Sequence, residues 1–494
     1  VKMRKFSLFL SFLAVVSPCL AATDTFFCYF ATWATYRSGN GKVDIEDIDP
    51  NLCTHVLYTF VGLTSSGGVN LLDSWHDISL GGLQRFRNLK TKNPNLKLLV
   101  AMGGWNEGST IYSNVANSPT LRATMVNNVV AFCKQYGFDG FDLDWEYPGL
   151  RGGASTDRVA YIELLKALRT RFDSEGLILT TAVGAASHFH SSSYNPAEMT
   201  KYCNYILLMT YDFRNGYDGV TGNHAPLYAS SKESSSVATY NVDSAVTAWI
   251  QAGANPAKLV LGIPLYGRSF TLASTTSNGL GARTTGPGPK GIAEEPGSIN
   301  YVEICTKQLQ GGWNTVYDND QKVPYTYKGT EWIGYDNVES VKGKVEYAKN
   351  RNLGGVMIYS LEQDDIRNVC GTGKYPLMTA IKNALGSSGG GGTGTTTTTT
   401  KAPGGTTTQG TTTTTKATTP TTTTKATTTT TPAPNPGGPI CQSVGVARDP
   451  NNCSIYYVCE NNLTGGFKET KFDCKTLCFD LKLKVCNYCN VVTC

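Results

Sequence analysis

Between residues 24 and 385, apolar residues form eight short runs rich in β-branched and aromatic residues. The runs cover residues 26–31, 54–61, 97–103, 138–147, 178–183, 205–212, 259–265 and 355–361. Stretches with a helical pattern lie between most of them, for example 119–135 and 157–172. Strands that alternate with helices favour a parallel sheet, and eight such units predict a closed (β/α)8 barrel, an α/β fold of the TIM-barrel type.

The interval between the seventh and eighth runs breaks this regular spacing. It extends from residue 266 to residue 354, far more than one helix and its loops require. Residues 268–337 within it are rich in Gly, Pro, Tyr and Thr. The pattern predicts a small α+β lobe inserted between strands 7 and 8 of the barrel.

The fourth run carries acidic and apolar residues at alternating positions. The acidic positions are Asp142, Asp144 and Glu146, and the residues between and before them are Phe141, Leu143 and Trp145. A strand with one face in water would also alternate in this way. Three neighbouring carboxyl groups repel one another, however, and their pKa values separate, so that one can stay protonated as a catalytic acid. Because Pro148 follows, Glu146 is expected at the C-terminal end of the strand, where barrel active sites lie.

The octapeptide 139–146 has the pattern DxxDxDxE, formed by Asp139, Asp142, Asp144 and Glu146. It resembles the signature of glycoside hydrolase family 18, which contains chitinases and chitinase-like lectins. Five further segments resemble motifs of that family in the same order: 28–37, 102–106, 209–212, 264–270 and 332–336. The resemblance covers residues 24–385. It implies a catalytic TIM barrel that degrades chitin, with the inserted lobe as one wall of the substrate groove.

The resemblance also implies a retaining mechanism in which the substrate's own N-acetyl oxygen is the nucleophile. Glu146 would protonate the leaving oxygen and then activate water. Asp144 would hold the acetamide N–H, Asp142 would share a proton with Asp144, and the Tyr211 hydroxyl would hold the acetamide oxygen. Asp139 lies on the opposite strand face and is interpreted as structural support.

Sugar rings stack on aromatic side chains, and by family analogy the platforms are Trp33, Trp105, Tyr147, Tyr266 and Trp332. Core packing is the alternative for each of them, and Tyr29, Phe30 and Phe60 are assigned mostly to the core. The other residues that match substrate-binding positions are Met209, Asp212, Arg268, Glu295 and Tyr359. Tyr359 and Tyr217 stand where the family has Trp, which reduces the stacking area.

The chain begins with a pattern typical of a secretory signal peptide. Basic residues at 2–5 precede the apolar run 6–16, and small residues at 21 and 22 offer a cleavage site. That run is too short to span a bilayer. We therefore expect residues 1–22 to be removed and the protein to be secreted and extracellular. The net charge of +5 is spread along the chain and gives no argument for nucleic acid.

Residues 386–439 consist almost entirely of Thr, Gly, Pro, Lys and Ala. They cannot build a core and predict a linker, either O-glycosylated into a stalk, which secretion favours, or unmodified and flexible. Residues 440–494 contain eight of the 15 cysteines and predict a small disulfide-rich β module. The cysteine order resembles the peritrophin-A type chitin-binding module. Its candidate disulfide cysteines are Cys441, Cys453, Cys459, Cys474, Cys486 and Cys494, with Cys478 and Cys489 as an additional pair.

In the barrel, the resemblance implies the disulfides Cys28–Cys53 and Cys305–Cys370. Cys133 and Cys203 are expected to be buried thiols. His188 and His190 stand close together, but two imidazoles without further ligands do not predict a metal site. No cofactor or metal is expected.

The sequence therefore favours a monomeric secreted endochitinase whose partners are chitin and chito-oligosaccharides, with no nucleic acid or membrane partner. A catalytically weak chitinase-like lectin and a structural chitin-binding protein remain the alternatives. The presence of Glu146 favours the enzyme, because lectins of the family lose this acid.

Overall fold

The computed structural model describes residues 23–386 and, further along the chain, five strands between residues 445 and 487. These parts belong to two compact units, residues 1–388 and 389–494. The strands of the first unit are β1 (Thr25–Ala31), β2 (His55–Leu63), β3 (Val69–Leu71), β4 (Lys97–Gly103), β5 (Gly140–Asp144), β6 (Ile178–Gly184), β7 (Tyr205–Met209), β8 (Leu259–Pro264), β9 (Tyr266–Leu272), β10 (Thr284–Pro287), β11 (Ser298–Asn300), β12 (Asn314–Asp318), β13 (Val323–Lys328), β14 (Glu331–Gly334) and β15 (Gly355–Tyr359). Its α-helices are α1 (Gly82–Arg87), α2 (Leu89–Lys92), α3 (Thr110–Asn117), α4 (Pro119–Tyr136), α5 (Asp157–Asp173), α6 (His188–Ser192), α7 (Pro196–Tyr202), α8 (Val242–Gln251), α9 (Tyr301–Leu309), α10 (Val338–Asn350) and α11 (Pro376–Gly386).

Eight parallel strands form a closed barrel. Their order around it is β1, β15, β8, β7, β6, β5, β4 and β2, and the pairing of β1 with β2 closes the ring. Each of the eight apolar runs supplies one strand, so the predicted (β/α)8 barrel is confirmed. The short strand β3 adds to β2 in the antiparallel direction.

The ends of helix α4 are set by capping residues. Helix α4 starts at Pro119, and the hydroxyl of Ser118 accepts a hydrogen bond from the Leu121 N–H at 3.4 Å. It ends at Tyr136 and is capped by Gly137, whose φ of +74° lies in the left-handed region that favours glycine. The chain then turns directly into β5.

The apolar residues of the barrel form two separate layers. Inside the barrel a compact group packs around Phe27, Leu57, Leu99 and Met357. Outside it, a larger layer fills the space between strands and helices and contains Phe141, Leu143 and Trp145 of the fourth run. The acidic positions of that run are buried as well. The alternative of a strand with one face in water is therefore wrong.

Strand β5 ends earlier than the sequence predicted. Its pairing with β4 stops at Asp144, beside Gly103, and the Gly104 N–H then donates to the Asp144 carbonyl oxygen at 2.9 Å. Gly103 has a φ of +121°, and a Cβ there would collide with that carbonyl oxygen. Glu146 consequently lies in the loop two residues beyond the strand, at the C-terminal end of the barrel.

The segment between β8 and α10, which are the seventh barrel strand and the helix before the eighth, is the inserted lobe. It forms an antiparallel sheet with one helix. The sheet runs in the order β10, β9, β14, β13 and β12, with β11 also paired to β9, and α9 packs on it. The disulfide Cys305–Cys370 links α9 to the chain after β15. A second disulfide joins Cys28 and Cys53. Both pairings are those that the resemblance implied, and Cys133 and Cys203 are buried free thiols, as expected.

The second unit contains two small antiparallel arrangements. Strands β16 (Gly445–Arg448), β17 (Ile455–Asn461) and β18 (Phe467–Asp473) form one sheet, and β19 (Cys478–Asp480) pairs with β20 (Val485–Asn487). The predicted signal peptide, the linker and the cysteine pairings of residues 440–494 lie outside the described residues. No helix in the described part of the chain is long and apolar enough to cross a membrane.

Candidate active site

An open groove with a volume of about 1100 Å³ lies at the C-terminal end of the barrel. Its walls come from the loops after the barrel strands and from the lobe, which contributes Arg268 and Glu295. Asp144 and Glu146 line it, and Asp142 lies buried one strand pleat below Asp144. The three acidic side chains thus lie on one path from the barrel interior to the groove.

Asp142 is fixed by two hydroxyl groups. Tyr29 donates to Oδ2 at 2.8 Å and Thr180 donates to Oδ1 at 2.5 Å. Burial raises the pKa of Asp142 to about 6, and these two hydrogen bonds oppose the rise. Among the described residues, hydroxyl groups rather than Asp144 hold both carboxyl oxygens.

Asp144 has a buried oxygen that accepts no hydrogen bond within the described part of the chain. Its Oδ1 has no hydrogen-bond partner among the described residues. Burial raises the pKa of Asp144 well above its usual range, and the charges of Glu146 and Asp142 add to the rise. A buried polar atom without a partner is costly, so this oxygen is available to a donor group on a ligand.

Glu146 has the pKa of an acid that works near neutrality. Burial raises it to about 7, while a hydrogen bond to Tyr147 and the positive charge of Arg151 hold it down. The side chain is almost fully buried and faces the groove. A carboxyl group in this state can donate a proton near neutral pH and take one back.

Tyr211 and Asp212 bring polar groups into the groove from the end of β7. The Tyr211 hydroxyl lies 4.0 Å from Sδ of Met357, and its ring lies 6.2 Å from those of Tyr266 and Tyr359. That weak sulfur contact leaves the hydroxyl able to donate elsewhere.

Arg268 spans the groove wall. It donates to both oxygens of Asp212, from Nε at 2.7 Å and from Nη2 at 2.9 Å, and to Glu295 at 3.0 Å. Burial alone would raise the pKa of Asp212, but Arg268 and His224 lower it below the usual range. The pair is thus ionised and joins the barrel to the lobe.

Aromatic rings line much of the groove. Trp33 and Trp105 are 41% and 59% exposed, and Trp33 stacks on Phe60 with ring centroids 6.0 Å apart. The remaining predicted platforms and binding residues that line the groove are Tyr147, Met209, Tyr266 and Tyr359. Tyr217, at 78% exposed, lines it as well.

The prediction that Trp332 is a sugar platform is wrong. Its side chain is 0% exposed and packs inside the lobe against Phe270 and Tyr325. Its indole N–H donates to the Asn278 carbonyl oxygen at 3.1 Å. Trp332 is therefore a core residue of the lobe, the alternative that the sequence left open.

Tyr29, Phe30 and Phe60 pack in the core, as the sequence predicts, and two of them also border the groove. Tyr29 and Phe60 pack in the inner layer and line the groove, whereas Phe30 packs in the outer layer. Tyr29 follows Phe27 by two positions and shares its inward face, so strand parity could have identified it. Asp139, in contrast, lies away from the groove, forms an ion pair with Lys90 at 2.6 Å, and accepts the Leu98 N–H at 2.8 Å. This agrees with structural support.

Cys305, Asp365 and Cys370 bring potential metal ligands together in the described part of the chain. The two sulfur atoms are bonded to each other. Asp365 accepts the N–H groups of Val369 and Cys370 at 2.9 and 2.8 Å. This cluster is therefore a disulfide with a capped turn.

A TIM barrel with a protonatable carboxyl group in an aromatic groove at its C-terminal end is the arrangement of a glycoside hydrolase. The model of the glycosyl hydrolases family 18 matches residues 25–364, and the chain belongs to this family. It is an enzyme, a glycoside hydrolase of the chitinase type.

Similar proteins include both chitinases and a pseudo-chitinase. Chitotriosidase-1 of Mus musculus is 38% identical, with 72% of this chain and 77% of that protein covered. The crystal structure of Ostrinia furnacalis Group IV chitinase is 43% identical with a TM-score of 0.72, covering 74% of this chain and 100% of that one. Human YKL-39, described as a pseudo-chitinase with retained chitooligosaccharide binding, is 36% identical with a TM-score of 0.69, covering 74% and 100%.

Proposed function

We propose that this protein is a secreted endochitinase that hydrolyses β-1,4 linkages between N-acetylglucosamine units with retention of configuration. The observation that carries the proposal is Glu146, a buried carboxyl group at the groove floor with a pKa of about 7. The chitinases among its relatives support chitin as the substrate.

Glu146 acts first as the acid and then as the base. With a pKa of about 7 it is largely protonated in mildly acidic solution and can protonate the glycosidic oxygen. The carboxylate that remains then accepts a proton from the water that attacks the anomeric carbon. The same side chain thus serves both halves of the reaction.

The acetamide oxygen of the substrate acts as the nucleophile, and Asp144 and Tyr211 hold the acetamide in position. The partnerless Oδ1 of Asp144 accepts the acetamide N–H. The Tyr211 hydroxyl donates to the acetamide oxygen and directs it toward the anomeric carbon. The negative charge of Asp144 stabilises the positive charge that develops on the ring.

Asp142 acts through Asp144. Its two oxygens are held by Tyr29 and Thr180 below the groove, so it does not contact the sugar. Its charge raises the pKa of Asp144, and a proton shared within the pair sets the charge that Asp144 presents to the substrate.

Chito-oligosaccharides bind along the aromatic groove. Trp33 and Trp105 offer open faces for stacking, and Tyr147, Tyr266 and Tyr359 add smaller platforms. Asp212, Arg268 and Glu295 offer polar groups for the hydroxyls and acetamides, with Met209 as an apolar contact. Residues 1–22 direct secretion, residues 386–439 form a glycosylated linker, and the eight cysteines of residues 440–494 staple a chitin-binding module.

A chitinase-like lectin is the second candidate function. Two observations favour it. Tyr359 and Tyr217 offer less stacking area than the Trp of the family, and the similar protein YKL-39 is described as a pseudo-chitinase with retained chitooligosaccharide binding. Binding of chitotetraose without turnover by the wild-type protein would establish this alternative.

The test compares wild type with Glu146→Gln on a soluble chito-oligosaccharide. The amide keeps the shape of the side chain but cannot deliver a proton, so kcat is expected to fall by roughly 10²–10⁴-fold. The affinity for the same oligosaccharide, measured by calorimetry, is expected to stay within about threefold. Glu175→Gln is the matched control, because Glu175 lies just after α5 and forms an ion pair with Arg171 of that helix. Near wild-type turnover of Glu146→Gln would defeat the assignment.

A further inference from the structure

Arg151 touches both the acid loop and a groove aromatic. It lies in the loop after β5 with a φ of +51°. Its Nη1 donates to the carbonyl oxygen of Glu146 at 3.0 Å, and its Cζ lies 3.6 Å from the centroid of the Trp105 ring. One guanidinium thus contacts the residue that carries the acid and covers one face of the most exposed groove tryptophan.

The backbone around Arg151 is held in place by three hydrogen bonds. Asp157, at the start of α5, accepts the N–H groups of Gly149 at 3.1 Å and Ala154 at 2.9 Å. The carbonyl oxygen of Arg151 accepts the N–H of Ser109 at 3.3 Å. The loops after β4 and β5 are therefore joined, and the guanidinium extends from a fixed base.

We propose that Arg151 is a positioning residue that fixes the Trp105 platform against the loop bearing Glu146. Trp105 has no neighbouring ring in stacking contact among the described residues, and 59% of it is exposed. The planar guanidinium supplies a stacking partner on one side and leaves the other face for a sugar ring. The inference rests on the proposed function, because it concerns how that groove holds its substrate.

Stacking at an exposed site is worth about 0.5–1 kcal/mol, which corresponds to a two- to fivefold change in affinity. Lys in place of Arg keeps the positive charge but loses the planar fork, whereas Gln loses the charge. The two replacements separate the stacking role of Arg151 from its electrostatic one.

The charge of Arg151 also affects the proton of Glu146. The titratable groups that interact electrostatically with the Glu146 carboxyl are Asp144, Tyr147, Arg151, Tyr194, Asp212 and Tyr359. Burial raises the pKa of Glu146, and Arg151 is the cation that opposes the rise. Because the acid must be protonated, loss of this charge moves the alkaline limb of kcat/KM to higher pH.

The experiment uses full-length Arg151→Lys and Arg151→Gln with a soluble chito-oligosaccharide. Calorimetric Kd is expected to rise about two- to fivefold in both. The alkaline limb is expected to rise by roughly 0.5 pH unit in Arg151→Gln and to stay in place in Arg151→Lys. Arg122→Gln is the matched control, since Arg122 also donates to a backbone carbonyl, that of Ala116 at 2.6 Å, but on α4.

A double-mutant cycle with Trp105→Ala locates the effect. If Arg151 acts through the platform, Arg151→Lys changes Kd in the wild-type background and leaves it unchanged in Trp105→Ala. An equal effect in both backgrounds, or a Kd for Arg151→Gln no different from Arg122→Gln, overturns the inference. Because Kd is measured without turnover, a wild-type protein that binds but does not hydrolyse refutes the proposed function and still tests Arg151.

Discussion

The Tyr29 hydroxyl, on β1, donates a 2.8 Å hydrogen bond across the barrel interior to Oδ2 of Asp142, on β5. This bond lowers the pKa of Asp142 against the effect of burial. A hydrogen bond made below the groove floor can therefore influence the charge that the floor presents.

We predict that Tyr29→Phe raises the apparent pKa of the Asp142–Asp144 pair. The acidic limb of the kcat profile, which reports deprotonation of that pair, should move to higher pH, and kcat near pH 5 should fall several-fold, about 1 kcal/mol for one hydrogen bond. The control is Tyr161→Phe, a buried tyrosine whose hydroxyl contacts Thr181 instead. An unshifted acidic limb in Tyr29→Phe would contradict the prediction.

The titration of Asp142 should also make the folding stability depend on pH. Burial raises its folded pKa to about 6, above the ordinary carboxyl value. The native state therefore binds more protons than the unfolded state between about pH 4 and 6, and its free energy of unfolding falls as the pH rises through that window. In Asp142→Asn this contribution disappears. We expect the unfolding free energy of wild type minus that of the variant, measured by urea titration, to be about 2 kcal/mol smaller at pH 7 than at pH 4. A difference that is constant with pH would show that Asp142 titrates normally.

We expect Asp212→Asn to shift the alkaline limb to lower pH. The negative charge of Asp212 raises the pKa of Glu146, so removing the charge makes the acid lose its proton earlier. KM should rise too, since Arg268 loses a bidentate partner. The measurement is kcat/KM from pH 5 to 9 on a soluble oligosaccharide. A limb that moves upward would mean that the charge of Asp212 is not felt at Glu146.

Hydrolysis should retain the anomeric configuration. The acetamide oxygen attacks from the face opposite the leaving group and forms a cyclic oxazolinium intermediate. Water must then enter from the face that the leaving group vacated, and it opens this ring with net retention. NMR of the first product should show the β-anomer, and the α-anomer would exclude the mechanism. An oligosaccharide lacking the N-acetyl group at the cleaved unit should bind but resist cleavage.

Truncation after Leu385 should separate two kinds of substrate. A tethered module raises the effective concentration of the barrel at an insoluble surface without changing its chemistry. Activity on insoluble chitin should fall, while activity on soluble oligosaccharides should stay nearly unchanged. Equal loss on both substrates would make residues 386–494 part of the catalytic unit, and no loss on either would mean that the module binds something other than chitin.

The strands of the barrel could be predicted because each is a short run of β-branched and aromatic residues that packs on both faces. The acidic path could be predicted because side chains two positions apart share a strand face. Trp332 and Tyr29 were harder to place, since both lie on strands and only the neighbouring elements decide which face opens to the groove. Arg151 was not predicted at all, because its contacts depend on the fold of an irregular loop that carries no periodic signal.

The burial of Glu146 imposes an order of events on the proposed reaction. The carboxyl group is almost fully buried and lines the groove, and a bound polysaccharide occupies that opening. The proton given to the departing fragment can then be replaced only from a water molecule that enters the space this fragment vacates. Each catalytic cycle therefore restores the proton of Glu146 within the groove. The leaving fragment must depart first, because only then can water enter and release the second product.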